Sequence, residues 1–122
     1  MKKILIVEDD ENIIRMLKRR LKKVGYEILH ASNGIEGLKI VETLSPDLVL
    51  MDMHLPVMDG YTTVRTLREK NYKGKIAALT ASATNEDIPK AFKAGCNYFI
   101  SKPITTEFEK LIEDILNEEE VS

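Results

Sequence analysis

The sequence predicts an α/β fold, a five-stranded parallel sheet that is doubly wound, with helices on both faces. Short apolar runs alternate with longer segments of helical period, and this alternation repeats five times along the 122 residues. Parallel strands need crossovers of a dozen or more residues, which helices supply in a right-handed sense. The third and fourth runs, Leu48-Val49-Leu50-Met51 and Ile76-Ala77-Ala78-Leu79, are apolar throughout. Strands covered on both faces read that way.

The elements follow in order. Ile4-Leu5-Ile6-Val7 is the first strand, and Ile13, Leu17, Leu21 and Val24 then recur at helical spacing until Gly25 supplies a stop. Ile13 and Ile14 are adjacent, so both cannot point straight inward, and Ile14 or Met16 is expected at the surface as a small apolar patch. Glu27-Ile28-Leu29-His30 is a short second strand. Asn33-Gly34 opens a second helix carrying Ile35, Leu38, Val41 and Leu44, which Ser45-Pro46-Asp47 ends before the third strand. Asp52 to Gly60 forms a loop, and Tyr61 to about Lys70 forms the third helix. After the fourth strand, a helix from near Asp87 to Gly95 keeps Pro89 in its first turn, where proline is tolerated. Tyr98-Phe99-Ile100 is the fifth strand. Thr106 with Glu109 fits a capping box at the start of the fifth helix, whose apolar face is Phe108, Leu111, Ile112, Ile115 and Leu116. Residues 1–118 are read as one domain and 119–122 as a frayed polar tail.

Composition bounds the function. Apolar residues at 43% and charged residues at 31% describe a globular chain, and a net charge of −2 leaves no basic footprint for nucleic acid. The lone cysteine, Cys96, cannot form an internal disulfide and reads as a small buried filler. No run approaches the length of a membrane span, and the start is too short for a signal peptide. A cytoplasmic protein is expected. Met51, Met53 and Met58 are read as packing.

Four strand-like runs end at residues suited to phosphate and metal chemistry: Glu8-Asp9, Asp52, Thr80 and, through Ser101, Lys102. In a parallel sheet these ends gather at the carboxyl rim, where ligands bind. Glu8, Asp9 and Asp52 make an oxygen-rich site suited to a hard cation such as Mg2+. Asp52, alone at the end of a central strand, is assigned as nucleophile, Asp9 as direct ligand and Glu8 as an outer ligand through water. Lys102 brings positive charge and Thr80 a hydroxyl, so that the set can neutralise and orient a phosphoryl group. Each residue has a simpler reading alone. The Glu8-Asp9-Asp10 run could cap the first helix, Thr80 could be an ordinary strand residue and Lys102 a solvated amine. Asp10 lies one step beyond the acidic pair, and capping is its expected role.

In this order the motifs Ile4-Leu5-Ile6-Val7-Glu8-Asp9-Asp10, Asp47-Leu48-Val49-Leu50-Met51-Asp52, Leu55-Pro56-Val57-Met58-Asp59-Gly60, Leu79-Thr80-Ala81 and Lys102-Pro103 resemble the response-regulator receiver domain of two-component signalling. The likeness runs from Lys2 to about Leu116. It is similar to the single-domain chemotaxis and sporulation regulators and to receivers carried in hybrid histidine kinases. The resemblance implies a flavodoxin-like sheet of strand order 2-1-3-4-5. It further implies that Asp52 accepts a phosphoryl group from a histidine of a sensor kinase or phosphotransfer protein, as in a phosphorelay. Glu8, Asp9, Asp52 and the main-chain carbonyl of His54 would hold Mg2+. Lys102 would pair with the phosphoryl group, and its bond to Pro103 would be cis. Thr80 would move toward the phosphoryl group with Phe99 rotating in behind it, while Tyr98 faces the other way.

Phe99 stands where the family often has tyrosine, so a hydroxyl-dependent output is replaced here by a shape switch on the surface of the fourth helix, fifth strand and fifth helix. His54 and Ser82, each two residues past a site residue, are candidates for setting phosphoryl lifetime, and Ile14 or Met16 for docking a four-helix phosphotransfer partner. An unphosphorylated monomer acting through a downstream protein is expected. The alternative is a receiver excised from a hybrid kinase or larger regulator. A remoter reading is an aspartyl-nucleophile phosphatase, with His54 where such enzymes place a general acid. A receiver fold used only for binding lacks support, since every residue that the chemistry needs is present.

Overall fold

The computed structural model describes residues 1–81 and 84–118. Ser82, and the tail expected over 119–122, lie outside the described residues. Strands and helices alternate as β1 (Lys3–Val7), α1 (Glu11–Lys23), β2 (Glu27–Ala31), α2 (Gly34–Leu44), β3 (Leu48–Asp52), α3 (Gly60–Glu69), β4 (Lys75–Thr80), α4 (Asp87–Ala94), β5 (Tyr98–Ser101) and α5 (Phe108–Asn117). The strands form one parallel sheet in the order β2-β1-β3-β4-β5. This is the expected architecture and order.

Strand alternation divides the core in two. Leu5, Val7, Val49, Met51, Ile76 and Ala78 point to one face, where Val41, Val64, Leu67 and Ala91 of α2, α3 and α4 cover them. Ile4, Ile6, Leu48, Leu50, Ala77 and Leu79 point to the other, under Leu17 and Leu21 of α1 and Phe108, Ile112 and Ile115 of α5. Phe99 packs with the first set and Tyr98 with the second. Cys96 is buried, as expected of a filler.

Helices α1, α2 and α3 start on side-chain caps. Asp10 accepts from the amides of Asn12 (2.9 Å) and Ile13 (3.2 Å), Asn33 from Glu36 (2.9 Å), and Asp59 from Thr62 (2.8 Å). Each satisfies backbone donors left open in a first helical turn. Upstream of α4, the Thr84 hydroxyl accepts from the Asp87 amide at 3.1 Å and donates to its carboxylate at 2.8 Å.

The side chains depart from expectation in four places. The capping box of Thr106 and Glu109 does not form: α5 starts at Phe108 behind Glu107, which makes no capping bond. Glu109 instead takes both Arg20 Nε (2.7 Å) and the Arg20 terminal nitrogen, which also donates to the Thr105 carbonyl at 2.8 Å. A paired guanidinium outbids a backbone amide for that carboxylate. Ile14 is buried and Met16 packs partly against the core, so neither supplies the surface patch, and Val24 at the end of α1 is the exposed one. On α2, Ile35 and Leu44 are exposed while Gly34, Gly37 and Val41 are buried. A Cβ on Gly37 would stand 3.1 Å from Val7, so α2 lies close to β1 along a seam of small residues. Leu111, placed on the inner face of α5, is also exposed.

Candidate functional site

The carboxyl ends of β1, β3, β4 and β5 bring Glu8, Asp52, Thr80 and Lys102 to one rim. Asp52 and Thr80 are the last residues of their strands, and register sets Asp52 against Leu79 and Thr80 against Ser101. Glu8, Asp52 and Thr80 are buried and Asp9 is exposed. One carboxylate oxygen from each of Glu8, Asp9 and Asp52 lies within 4.8 Å of the others. Three acids at that spacing repel one another unless a cation or proton intervenes, and hard oxygen donors so grouped fit a divalent cation such as magnesium.

Lys102 partly balances them. Its Nζ donates to Glu8 Oε1 at 2.6 Å and stands 3.7 Å from Asp52 Oδ2. The other Glu8 oxygen accepts from the Asp9 amide at 3.1 Å, and Asp52 Oδ1 accepts from the His54 amide at 3.0 Å. Burial pushes the Glu8 carboxyl up to about 7, with its hydrogen bond to Asp52 adding to the rise and Lys102 opposing it. A bound cation would oppose that rise.

The peptide bond from Lys102 to Pro103 is cis. Phe99 is half-buried beside Ala78, one same-face step below Thr80 on the neighbouring strand. His54 presents its amide to Asp52 and exposes its side chain. Two features were not anticipated. His30 Nε2 lies 3.3 Å from the Glu8 carbonyl, and the Lys90 ammonium stands over the Tyr61 ring, 4.3 Å from its centroid. Neither pair shares a sequence neighbourhood, so only the fold could reveal them.

The sequence model of the response regulator receiver domain matches residues 4–116. The chain belongs to the response regulator receiver family. This receiver is 34% identical over 122 residues to the alkaline phosphatase synthesis transcriptional regulatory protein PhoP of Bacillus subtilis, covering 99% of the chain and 51% of that protein. It is 40% identical over 107 residues to hybrid signal transduction histidine kinase G of Dictyostelium discoideum, covering 84% of the chain and 3% of that protein. The chain thus spans about half the length of PhoP and a small part of the hybrid kinase. Among solved structures, the receiver domain of sensor histidine kinase PA1611 from Pseudomonas aeruginosa superposes with a TM-score of 0.87 at 31% identity, over 96% of this chain and 98% of that one. That domain has a magnesium ion coordinated in its active-site cleft. A receiver is a signalling module of two-component systems rather than a conventional enzyme. No helix among the described residues is long and apolar enough to cross a membrane.

Proposed function

We propose that this receiver accepts a phosphoryl group on Asp52 from a phosphohistidine of a sensor kinase or phosphotransfer protein, in a reaction that depends on Mg2+. The observation that carries the reading is the setting of Asp52: its carboxylate ends the central strand, within 4.8 Å of Glu8 and Asp9 ligand atoms and 3.7 Å from the Lys102 amine. Asp9, Asp52 and the His54 carbonyl would hold the metal directly, and Glu8 through water. Bound magnesium supplies positive charge that lets an anionic phosphoryl group approach an anionic carboxylate. The His54 amide holds Asp52 Oδ1 and leaves Oδ2 on the Lys102 side. Lys102 would then shift from Glu8 toward the phosphoryl oxygens.

The response is a population shift between two packings. Thr80 would turn to donate to a phosphoryl oxygen, and Phe99 would follow into the space Thr80 vacates. The surface of α4, β5 and α5 would change shape for a protein partner, or Asp52 would pass the phosphoryl group on. His54 and Ser82 would set its lifetime. The setting is the cytoplasm, and the unphosphorylated protein is a monomer.

Acetyl phosphate and magnesium should add one phosphoryl group to the intact mass, and neither magnesium-free protein nor Asp52→Asn should gain it. No adduct on the wild type would return the domain to the reading of a binding module.

A further inference from the structure

Met1 aside, the most exposed large apolar side chain among the described residues is Val57, at 81%. It stands at the tip of the loop between β3 and α3, in strained backbone. Its φ is +69°, and the Met58 amide donates to the Pro56 carbonyl across it at 2.7 Å. A γ-turn with positive φ is the rare, strained form, and β-branched residues seldom enter it. The other non-glycine residues with positive φ, Ser45 and Asn71, are not β-branched. Packing does not offset this strain, because the side chain is almost bare. Other bonds hold the loop, from the Gly60 amide to the Met53 carbonyl at 3.1 Å and from the Thr62 amide to Asp59 at 2.8 Å. Glycine or asparagine would suit the turn better within the domain itself. What valine adds here is an apolar surface turned outward.

Resting on the phosphoacceptor reading of Asp52, we infer that Val57 is the apolar anchor by which a phosphohistidine-bearing protein docks over the site. Position argues for that partner. Transfer requires the donor's histidine to reach Asp52, so the donor's surface must cover the rim around it. A standard interface takes about 800 Å2 of each partner, a disc of roughly 16 Å radius. The loop leaves at Met53 and returns at Gly60, whose amide bonds the Met53 carbonyl, so chain length keeps Val57 within about 14 Å of Met53. Pro56 shares a cavity wall with Asp9 and His54, which sets the loop beside the acid cluster. Ile35 extends the apolar surface. A Cβ on Gly34 would stand 3.3 Å from Met58 Cβ, so α2 starts against this loop, and Ile35 is exposed. The output surface of α4, β5 and α5 lies toward the β5 edge of the sheet, which leaves the loop after the central β3 to the donor.

Two donors separate docking from chemistry. Acetyl phosphate needs no docking surface. The second probe is whichever autophosphorylated kinase or phosphotransfer protein of the same organism modifies wild type fastest. Val57→Asn suits the turn and removes the apolar tip. Below saturation, its transfer from the histidine donor should fall about tenfold, the size of burying one valine, with acetyl phosphate modification unchanged. Its Tm should rise by about 4 °C as the strain is relieved. Val57→Ile, still branched and apolar, should accept from the histidine donor at the wild-type rate. An unchanged rate from that donor, an equal fall with acetyl phosphate or a lower Tm in Val57→Asn would overturn the anchor. So would a wild-type dimer that Val57→Asn abolishes with transfer intact, which would assign the surface to a second copy of the chain. Wild type that accepts from no histidine donor would instead overturn the phosphohistidine reading on which the anchor rests.

Discussion

Gly60 fixes the position of Asp52, and replacing it should be the costliest single-methyl change near the site. A Cβ at Gly60 would stand 2.3 Å from the Asp52 carbonyl oxygen, 2.6 Å from Met53 Cα and 2.9 Å from Met53 Cε. The methionine tip can swing away, but the other two atoms are backbone. That backbone is tied on both sides, Met53 donating to Leu79 at 3.3 Å and accepting from the Gly60 amide at 3.1 Å. Relief must therefore move the end of β3 or the start of α3. Overpacking usually costs about 1–3 kcal/mol, and a clash with anchored backbone belongs near about 3 kcal/mol. Unfolding entropy for a chain of this size is roughly 0.25 kcal/mol/K, so Gly60→Ala should lower Tm by about 12 °C. Gly25→Ala is the control. Gly25 has φ +99° with nothing within 4 Å of an added Cβ, so only backbone strain of about 1 kcal/mol applies, or about 4 °C. Thermal melts followed by circular dichroism read both. A Gly60→Ala shift no larger than that of Gly25→Ala would refute the argument that close approach, rather than backbone conformation, constrains this loop.

Other consequences follow from side-chain pairs. Arg20 holds the Glu109 carboxyl down to about 2. A carboxyl depressed on folding stabilises above its unfolded value near 4.5 and loses that contribution as pH falls toward 2, so the Tm gap between wild type and Glu109→Gln should narrow over that window; a gap independent of pH would contradict the pairing. Arg68 donates to the carbonyls of Gly95, Tyr72 and Gly74 and to Asn97 Oδ1 at 2.7–3.0 Å. Arg68→Met should cost about 3 kcal/mol in urea unfolding by stranding these acceptors, and a loss under about 1 kcal/mol would show that water replaces them. If His54 and Ser82 govern phosphoryl lifetime, the His54→Ala, Ser82→Ala double variant should decay at a different rate from wild type, and an unchanged rate would remove them from that role.

Fold and rim were legible because both depend on local pattern. Apolar runs of strand length marked the sheet, and a polar residue ending each run marked where Asp52, Thr80 and Lys102 would meet. What escaped depends on contacts between distant residues. Glu109 satisfies Thr106 on sequence spacing alone, but Arg20, 89 residues away, claims it. Ile13 and Ile14 are equally apolar, and only the angle of α1 on the sheet decides which is buried. The seam of Gly34 and Gly37 carries no apolar signal, so the inner face of α2 was misplaced toward Ile35 and Leu44. The burial of Glu8 and its bond to Lys102, which separate it from an ordinary helix-cap acid, arise only once β1 and β5 stand in one sheet. Lys90 and Tyr61 carry no motif at all.

Phosphoryl transfer to Asp52 is tested most directly by locating the phosphoryl group itself. Protein treated with acetyl phosphate and magnesium would be reduced with borohydride, which converts an aspartyl phosphate to homoserine, and then digested and sequenced by mass spectrometry. Homoserine is expected at position 52 and nowhere else. Modification at Asp9 or His54 with Asp52 intact would contradict it.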